Sequence, residues 1–149
     1  MANICSNKLT IKGDSKQLKH LISRIKDKKS GDQLLLERIY HVPSNIVKMD
    51  EMDDWKDEVW GTSFIYECNY EVVDETEVHL HFLSKWAPPI GWVKFVAKLY
   101  GKLSFSLRYD EPGIGFYGSF HAKGSNTKDF RSVSHFQPEE LYKSKVFGL

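Results

Sequence analysis

A glutamate beside a tight turn is the residue of this sequence best placed for acid–base chemistry. Glu111 follows Asp110 and precedes Pro112 and Gly113, and a positioned carboxylate can act as a general acid or base. A glutamate next to a Pro-Gly pair is also ordinary turn chemistry with no catalytic role. Glu111 is therefore the candidate catalytic residue, with a plain turn as the alternative. The sequence has no glycine-framed serine and no phosphate-binding loop motif.

Histidines two residues apart suggest a second kind of chemistry. His79 and His81 alternate along a strand-like segment, so both imidazoles point to one face, and His121 could join them. Such a group could bind zinc or copper. The alternative is a solvated sheet face flanked by Glu77 and Lys85. We predict no cofactor, and these three histidines are the candidate ligands if a metal binds.

Two aromatic segments could form binding surfaces. The glycine-rich stretch Gly113–Phe120 is similar to strands whose exposed aromatics stack on RNA bases, but it lacks their leading basic residue. In Leu83–Trp92, two prolines after Trp86 fix a rigid strand-to-helix corner. There the free N–H groups of the helix N-terminus could bind an anion, and an indole could stack on a ring of the ligand. In both places the alternative is an aromatic core.

The composition is that of one globular domain. The chain has 149 residues and a net charge of +1, so no overall field attracts nucleic acid. Cys5 and Cys68 are too few for a disulfide framework. The first residues do not form a signal peptide, and no apolar run reaches the length of a membrane helix. We therefore expect a cytoplasmic protein.

Hydrophobic spacing predicts strands with one apolar face and helices with one apolar stripe. The predicted strands are Asn3–Lys12, Leu34–Val42, Phe64–Val73, Glu77–Lys85, Leu103–Tyr109 and Phe116–His121. The predicted helices run from Asp14 or Ser15 to Gly31, over the acidic stretch Asp50–Glu58, from Pro88 to Gly101, and over Pro138–Lys145. Pro112-Gly113 predicts a type II turn.

This order predicts an α+β fold, with a ferredoxin-like antiparallel sheet and two main helices on one face. We predict one domain over residues 1–121, with an insertion at about 43–63 that holds the acidic helix, and a C-terminal extension of the same domain over 122–149. Apolar residues of the extension could cover the open face of the sheet and would then exclude the stacking of bases there. They are the aromatics at 130, 136 and 147 and the valine at 133.

Four segments in order carry a family resemblance. They are ANICSNKLTIKG (2–13), WKDEVWGTSF (55–64), FLSKWAPPIGWV (82–93) and LRYDEPGIGFYGSF (107–120). Together they resemble the YubB-type ferredoxin-like family of phages and conjugative plasmids. The chain departs from the family pattern at Ile4, Lys8, Ser63-Phe64 and Ser84-Lys85.

The resemblance implies a mobile-element protein made in the bacterial cytoplasm, and it implies no reaction, since this fold hosts many functions. A shared site would lie where the motif residues converge. Its candidate ligand-binding residues are Asn7, Trp60, Thr62, Trp86, Tyr109 and Glu111. Indoles, an amide and a carboxylate suit a planar polar ligand such as a nucleotide. The alternative is that Trp60 and Trp86 are core residues and Asn7 caps a turn.

The function predicted from these observations is a non-enzymatic phage or plasmid accessory protein. It would bind a host or defence-related target, which could be a host protein or a small nucleotide-like molecule. One alternative is a small enzyme acting on a nucleotide or similar metabolite, with Glu111 as acid/base. A second is a single-stranded nucleic-acid binder on the open sheet face. No membrane partner is expected, and the oligomeric state stays open.

Overall fold

The computed structural model describes residues 3–26, 33–47 and 51–133, which form one six-stranded antiparallel sheet with helices. The strands are β1 (Ile4–Gly13), β2 (Ile65–Asp74), β3 (Glu77–Lys85), β4 (Leu103–Glu111), β5 (Phe116–Lys123) and β6 (Asn126–Val133). The helices are α1 (Ser15–Ile25), α2 (Ser44–Val47), α3 (Met52–Val59) and α4 (Ile90–Leu99), with a short 3-10 helix at Leu36–Arg38.

The order across the sheet is β2-β3-β1-β4-β5-β6. The first four strands, with α1 after β1 and α4 after β3, have the β-α-β-β-α-β order of a ferredoxin-like domain. The last two strands extend the sheet beyond β4. Because the sheet is antiparallel and each strand alternates its side chains, one face can be buried while the other meets solvent.

Helix α1 begins where the sequence predicts it. The side chain of Asp14 accepts a hydrogen bond from the backbone N–H of Gln17 at 3.0 Å, which caps the first turn. Leu18, Leu21 and Ile25 are its buried residues, at the spacing of one helical face. The predicted end at Gly31 lies outside the described residues.

Helix α4 begins after the two prolines, and its start lies directly against the end of α3. A Cβ added to Gly91 would lie 1.8 Å from the carbonyl oxygen of Val59, so only glycine allows this contact. The backbone N–H of Trp92 donates to the carbonyl of Trp60 at 3.1 Å. The indole of Trp92 is fully buried and donates to the carbonyl of Leu36 at 2.9 Å.

Two local predictions are wrong, and one strand is not predicted by the sequence. The segment 34–42 forms no strand. It has an isolated bridge at Leu34 and then the 3-10 helix, whose Leu36 carbonyl accepts the Trp92 indole. The β4–β5 turn is not type II. Gly115 rather than Gly113 has the left-handed backbone (φ 93°), and its N–H donates to the Glu111 carbonyl at 2.9 Å, so the loop is wider. Residues 126–133 form β6, a strand that the sequence pattern does not predict.

The two faces of the sheet differ sharply. On one face, Leu9 and Ile11 of β1 join Leu80, Leu107 and Phe105 in a single core cluster that also includes the buried residues of α1 and α4. The opposite face, called here the open face, carries the alternate residues of each strand, which are mostly polar. The predicted helix Pro138–Lys145 and the aromatics at 136 and 147 lie outside the described residues. No helix among the described residues is long and apolar enough to cross a membrane.

Candidate functional site

Glu111 closes the turn between β4 and β5. Its side chain is fully buried. One carboxylate oxygen accepts the backbone N–H of Gly113 at 2.9 Å, and the other accepts that of Ile114 at 2.7 Å. Both oxygens are therefore occupied by the protein's own backbone, and the carboxylate is not presented to a substrate.

Tyr109 is also held by protein groups. Its hydroxyl donates to Asp129 at 3.1 Å and accepts from the Nε of Arg131 at 3.2 Å. The Arg131 guanidinium lies 5.1 Å from the Tyr109 ring centre and 4.7 Å from that of Phe116. A Cβ on Gly118 would lie 2.6 Å from the Tyr109 hydroxyl, so this glycine makes room for the phenol. Burial raises the pKa of Tyr109.

Asn7 and Thr62 are buried and hydrogen-bonded to the backbone. Asn7 lies opposite Tyr109 in the sheet, and its Nδ2 donates to the Cys5 carbonyl at 3.1 Å and to the Ser84 hydroxyl at 2.9 Å. The hydroxyl of Thr62 donates to the carbonyl of Lys85 at 2.7 Å. These groups join strands together, and their polar atoms have partners within the fold.

The two candidate tryptophans lie in different surroundings. Trp60 is buried, and its indole donates to the carbonyl of Tyr40 at 3.2 Å. Trp86 is 41% exposed and has a left-handed backbone, with φ 70°. The N–H of Ala87 bonds to the carbonyl of Lys85 across it at 2.8 Å, which is the pattern of a strained three-residue turn. Of the six candidate residues, only Trp86 exposes a large part of its side chain.

The predicted histidines divide into two groups. His79 and His81 share the open face with Glu71 of β2, and their ligand-type atoms lie within 4.8 Å of one another. His121 lies on β5, separated from β3 by β1 and β4. Its Nε2 is 3.2 Å from the hydroxyl of Ser119. The structure therefore groups two of the three predicted histidines and adds a glutamate.

A row of side chains crosses the whole open face, one from each strand. Successive register pairs place, from β2 to β6, Asn69, His81, Lys8, Arg108, Ser119 and Phe130. This set is called here the cross-strand row. Lys8 and Arg108 are direct neighbours on β1 and β4, where like charges destabilise a sheet. Among the described residues neither forms an ion pair, so their charge is available to an anion.

The cross-strand row lies in a concave space of about 900 Å³. From the row, the lining includes His81, Lys8, Arg108, Ser119 and Phe130; from the next positions along the strands it includes Ser6, Asp110, Tyr117 and Ser132. The volume is in the range of small-molecule sites. At one end of the row, Phe130 is 61% exposed and leaves an aromatic ring open to contact.

Asp110 lies in the same hollow with an unpaired oxygen. Its Oδ1 is buried and has no hydrogen-bond partner among the described residues. Burial, and then the charge of Glu111, raise the pKa of this carboxyl. Buried polar atoms normally have partners, so this oxygen is an exception among the polar atoms of the sheet.

A second hollow, of about 840 Å³, lies between the 3-10 helix and the start of β2. Its lining carries Glu37 and Glu67 as well as Arg38 and Lys56. Charges of both signs are thus present there, as they are in the open-face hollow, whose lining includes Asp110 and Asp129. The open-face hollow differs in having the adjacent cations Lys8 and Arg108 and the exposed ring of Phe130.

Comparison with known proteins identifies the family. A family model described as the ferredoxin-like domain in Api92-like protein matches residues 65–140, about half of the chain. This chain belongs to that family. The crystal structure of protein api92 from Yersinia pseudotuberculosis is similar over 93% of this chain and 100% of that one, with a TM-score of 0.72 and 8% identity. No curated protein matches the sequence.

For this Api92-like chain, the comparisons confirm the predicted ferredoxin-like fold with its antiparallel sheet. The matched range runs from β2 through β6 and includes Arg108, Asp110 and Phe130, together with the Glu71, His79 and His81 group. Lys8 comes from β1, outside the range.

Sequence reasoning missed Lys8 and Arg108 as a pair. Their only signal is that each stands at the polar position of an alternating strand, and their meeting depends on the register of two distant segments.

Proposed function

We propose that this protein is a non-enzymatic binding protein that takes a nucleotide-like ligand on the open face of its sheet. The observation that carries the proposal is the pair Lys8 and Arg108, which lie side by side in a concave space without an ion-pair partner among the described residues. Placing two cations together costs free energy. An anionic group such as a phosphate would offset this cost, and Arg can hold it with two parallel hydrogen bonds.

The rest of the hollow suits the other half of a nucleotide. Phe130 lies two strands from Arg108 along the row, about 10 Å at ordinary strand spacing. A base can stack on its exposed ring, a contact that contributes about 1–3 kcal/mol in single-strand complexes. Asp110 lines the same hollow, and its carboxylate can accept a hydrogen bond from an amino group on a base. The hollow therefore offers cations for a phosphate, an aromatic ring for a base and a carboxylate for an amino group, and a nucleotide carries all three of these groups.

The enzyme alternative finds less support in the geometry. Glu111 holds a turn with both oxygens, and a general base must reach the proton that it removes. The alternative of single-stranded nucleic acid uses the same surface, because the row spans all six strands. The resemblance to phage and plasmid proteins supports a role in a bacterial cytoplasm against a host or defence-related target. That biological setting is part of the proposal.

The test is a binding screen on the full chain. Nucleoside phosphates, cyclic dinucleotides and short single-stranded oligonucleotides are tested by thermal shift at low salt, and hits are measured by calorimetry. We expect at least one compound to raise the melting temperature, as any ligand of the folded state must. Oligonucleotide affinity that rises with length and falls steeply with salt would favour the single-strand alternative. A flat screen over all three classes would refute the proposal.

Variants locate the site. Arg108→Gln and Lys8→Gln each remove one cation, and loss of a charged hydrogen bond of about 1.5–3 kcal/mol corresponds to about 10- to 100-fold weaker binding. The matched control is Lys98→Gln, which removes an exposed lysine from α4, outside the hollow. Equal weakening by Lys98→Gln and Arg108→Gln would show that the anion binds through general charge and would overturn the assignment of the hollow.

A further inference from the structure

A second cluster on the open face has the composition of a metal site. It consists of Glu71 on β2 with His79 and His81 on β3, and is called here the Glu71–His79–His81 cluster. Each side chain offers one ligand atom, and these three atoms lie within 4.8 Å of one another. No other group of three such residues occurs in the part of the chain that the structure describes.

The backbone explains why the three meet. His79 and His81 are two apart on β3, so both side chains project from the same face. Glu71 is the direct register partner of His79 on the neighbouring strand. The β-bulge between Tyr66 and Asn69 sets this register, because one extra residue shifts every later side chain to the other face.

The distances from the Glu71 carboxylate to the two imidazoles also fit a shared ion. Oε1 of Glu71 lies 3.3 Å from Nε2 of His81 and 3.6 Å from Nδ1 of His79. The contact with His81 is also a long hydrogen bond, since a charged N–H···O hydrogen bond is usually about 2.7–2.9 Å long. In contrast, a tetrahedral ion with bonds of about 2.0–2.2 Å holds its ligand atoms about 3.3–3.6 Å apart. The carboxylate is thus spaced from both imidazoles as a co-ligand would be.

A fourth residue orients one of the imidazoles. Nε2 of His79 lies 2.6 Å from Oε2 of Glu77, which is within hydrogen-bond distance. A carboxylate can only accept, so Nε2 of His79 carries the proton. In the neutral imidazole, Nδ1 then has a free lone pair on the side of Glu71. A histidine held by an outer carboxylate is the usual arrangement around protein-bound metals.

From these contacts we infer that Glu71, His79 and His81 form a binding site for a divalent transition-metal ion, with Zn²⁺ as the favoured ion. Two imidazoles and one carboxylate are a known zinc ligand set that leaves one position open. Copper and nickel ions also accept imidazole, and copper binds such ligands more strongly. Glu77 is a positioning residue that acts through His79. This inference does not depend on the proposed nucleotide function.

The experiment is a Zn²⁺ titration of the full chain without an affinity tag, in competition with a chromogenic chelator. We expect saturable binding of one equivalent. His81→Ala and Glu71→Gln each remove one ligand, and both positions are partly exposed, so the variants should fold. We expect each to weaken binding by more than the 10- to 100-fold that is typical of losing an outer-shell partner. Glu77→Gln, which changes the partner of His79, should weaken it by that smaller factor.

The matched control is His121→Ala, which removes a histidine from the same face outside the cluster. It should leave the stoichiometry and affinity for Zn²⁺ unchanged. Replacement of zinc by Co²⁺ gives a second readout. The visible ligand-field absorption of four- or five-coordinate Co²⁺ should appear in the wild type and be lost in Glu71→Gln. Absence of saturable binding, or equal affinity in His81→Ala and the wild type, would overturn the inference.

Discussion

Replacement of Glu111 distinguishes a structural carboxylate from a catalytic one. In Glu111→Gln, one side-chain oxygen becomes an NH₂ group that faces a backbone N–H, so one of the two bonds at 2.7 and 2.9 Å is lost and a donor is left unpaired. A hydrogen bond to a charged group contributes about 1.5–3 kcal/mol. Because the residue is fully buried, water cannot replace the lost partner. We expect the free energy of unfolding to fall by about 1.5–3 kcal/mol.

Urea unfolding followed by tryptophan fluorescence measures this loss. For a chain of this length, the melting temperature should fall by about 2–4 °C for each kcal/mol. The matched control is Asp74→Asn. Asp74 also accepts a backbone N–H, from Thr76 at 2.7 Å, but in an exposed turn, and its replacement should change stability much less. A catalytic carboxylate is often kept at a cost in stability. Unchanged or increased stability of Glu111→Gln would therefore refute the structural role.

Two further predictions test the fold. Gly118→Ala would place a Cβ 2.1 Å from the carbonyl oxygen of Phe130, and we expect a loss of about 1–3 kcal/mol in urea unfolding; Gly101→Ala, whose Cβ would meet nothing within 4 Å, is the control. Burial raises the pKa of the Cys5 thiol from 9.0 to about 12, so the folded state favours the protonated thiol. Stability should fall by up to about 1.4 kcal/mol per pH unit above pH 9, and unfolding measured at pH 8 and pH 10 should show a smaller fall for Cys5→Ala.

The core of the fold could be predicted because its signals are local. Alternation in β3 matches its observed bounds, Glu77–Lys85, and the Asp14 cap marks the start of α1. Strand β2 shows the limit of this reasoning. Strict alternation along the predicted strand Phe64–Val73 would put Tyr66 and Cys68 on one face, but at the bulge Glu67 has a left-handed backbone, with φ 35°. Tyr66 therefore pairs with Leu83 on the open face, and Cys68 is buried.

Strand β6 and the binding surface depend on contacts that no local pattern records. Asn126–Val133 is largely polar and has no clear alternation, and it is a strand because β5 offers a free edge. Lys8 and Arg108 are 100 residues apart and meet only through the register of β1 and β4. The candidate residues taken from the motifs, such as Asn7 and Glu111, are typical binding types, but their polar atoms have partners inside the fold.

The two proposals share one residue, and this overlap gives a final prediction. His81 belongs to the Glu71–His79–His81 cluster and lies opposite Lys8 in the cross-strand row. A bound Zn²⁺ would add positive charge about two strand spacings, or 10 Å, from Arg108. In water, two charges of +2 and −1 at that distance attract by about 0.8 kcal/mol, which is about a fourfold change in affinity.

Zn²⁺ should therefore strengthen binding of a nucleotide-like ligand by about fourfold at low salt, and the ligand should strengthen Zn²⁺ binding by the same factor. Because nucleotides can chelate zinc directly, the coupling is measured by calorimetry in the wild type and in Glu71→Gln, which lacks one proposed metal ligand. It should disappear in Glu71→Gln and weaken at high salt, where charges this far apart are screened. A coupling that persists in Glu71→Gln would mean that the zinc effect comes from direct chelation by the ligand and not from the cluster. Equal ligand affinity with and without Zn²⁺ in the wild type would mean that the two sites act independently.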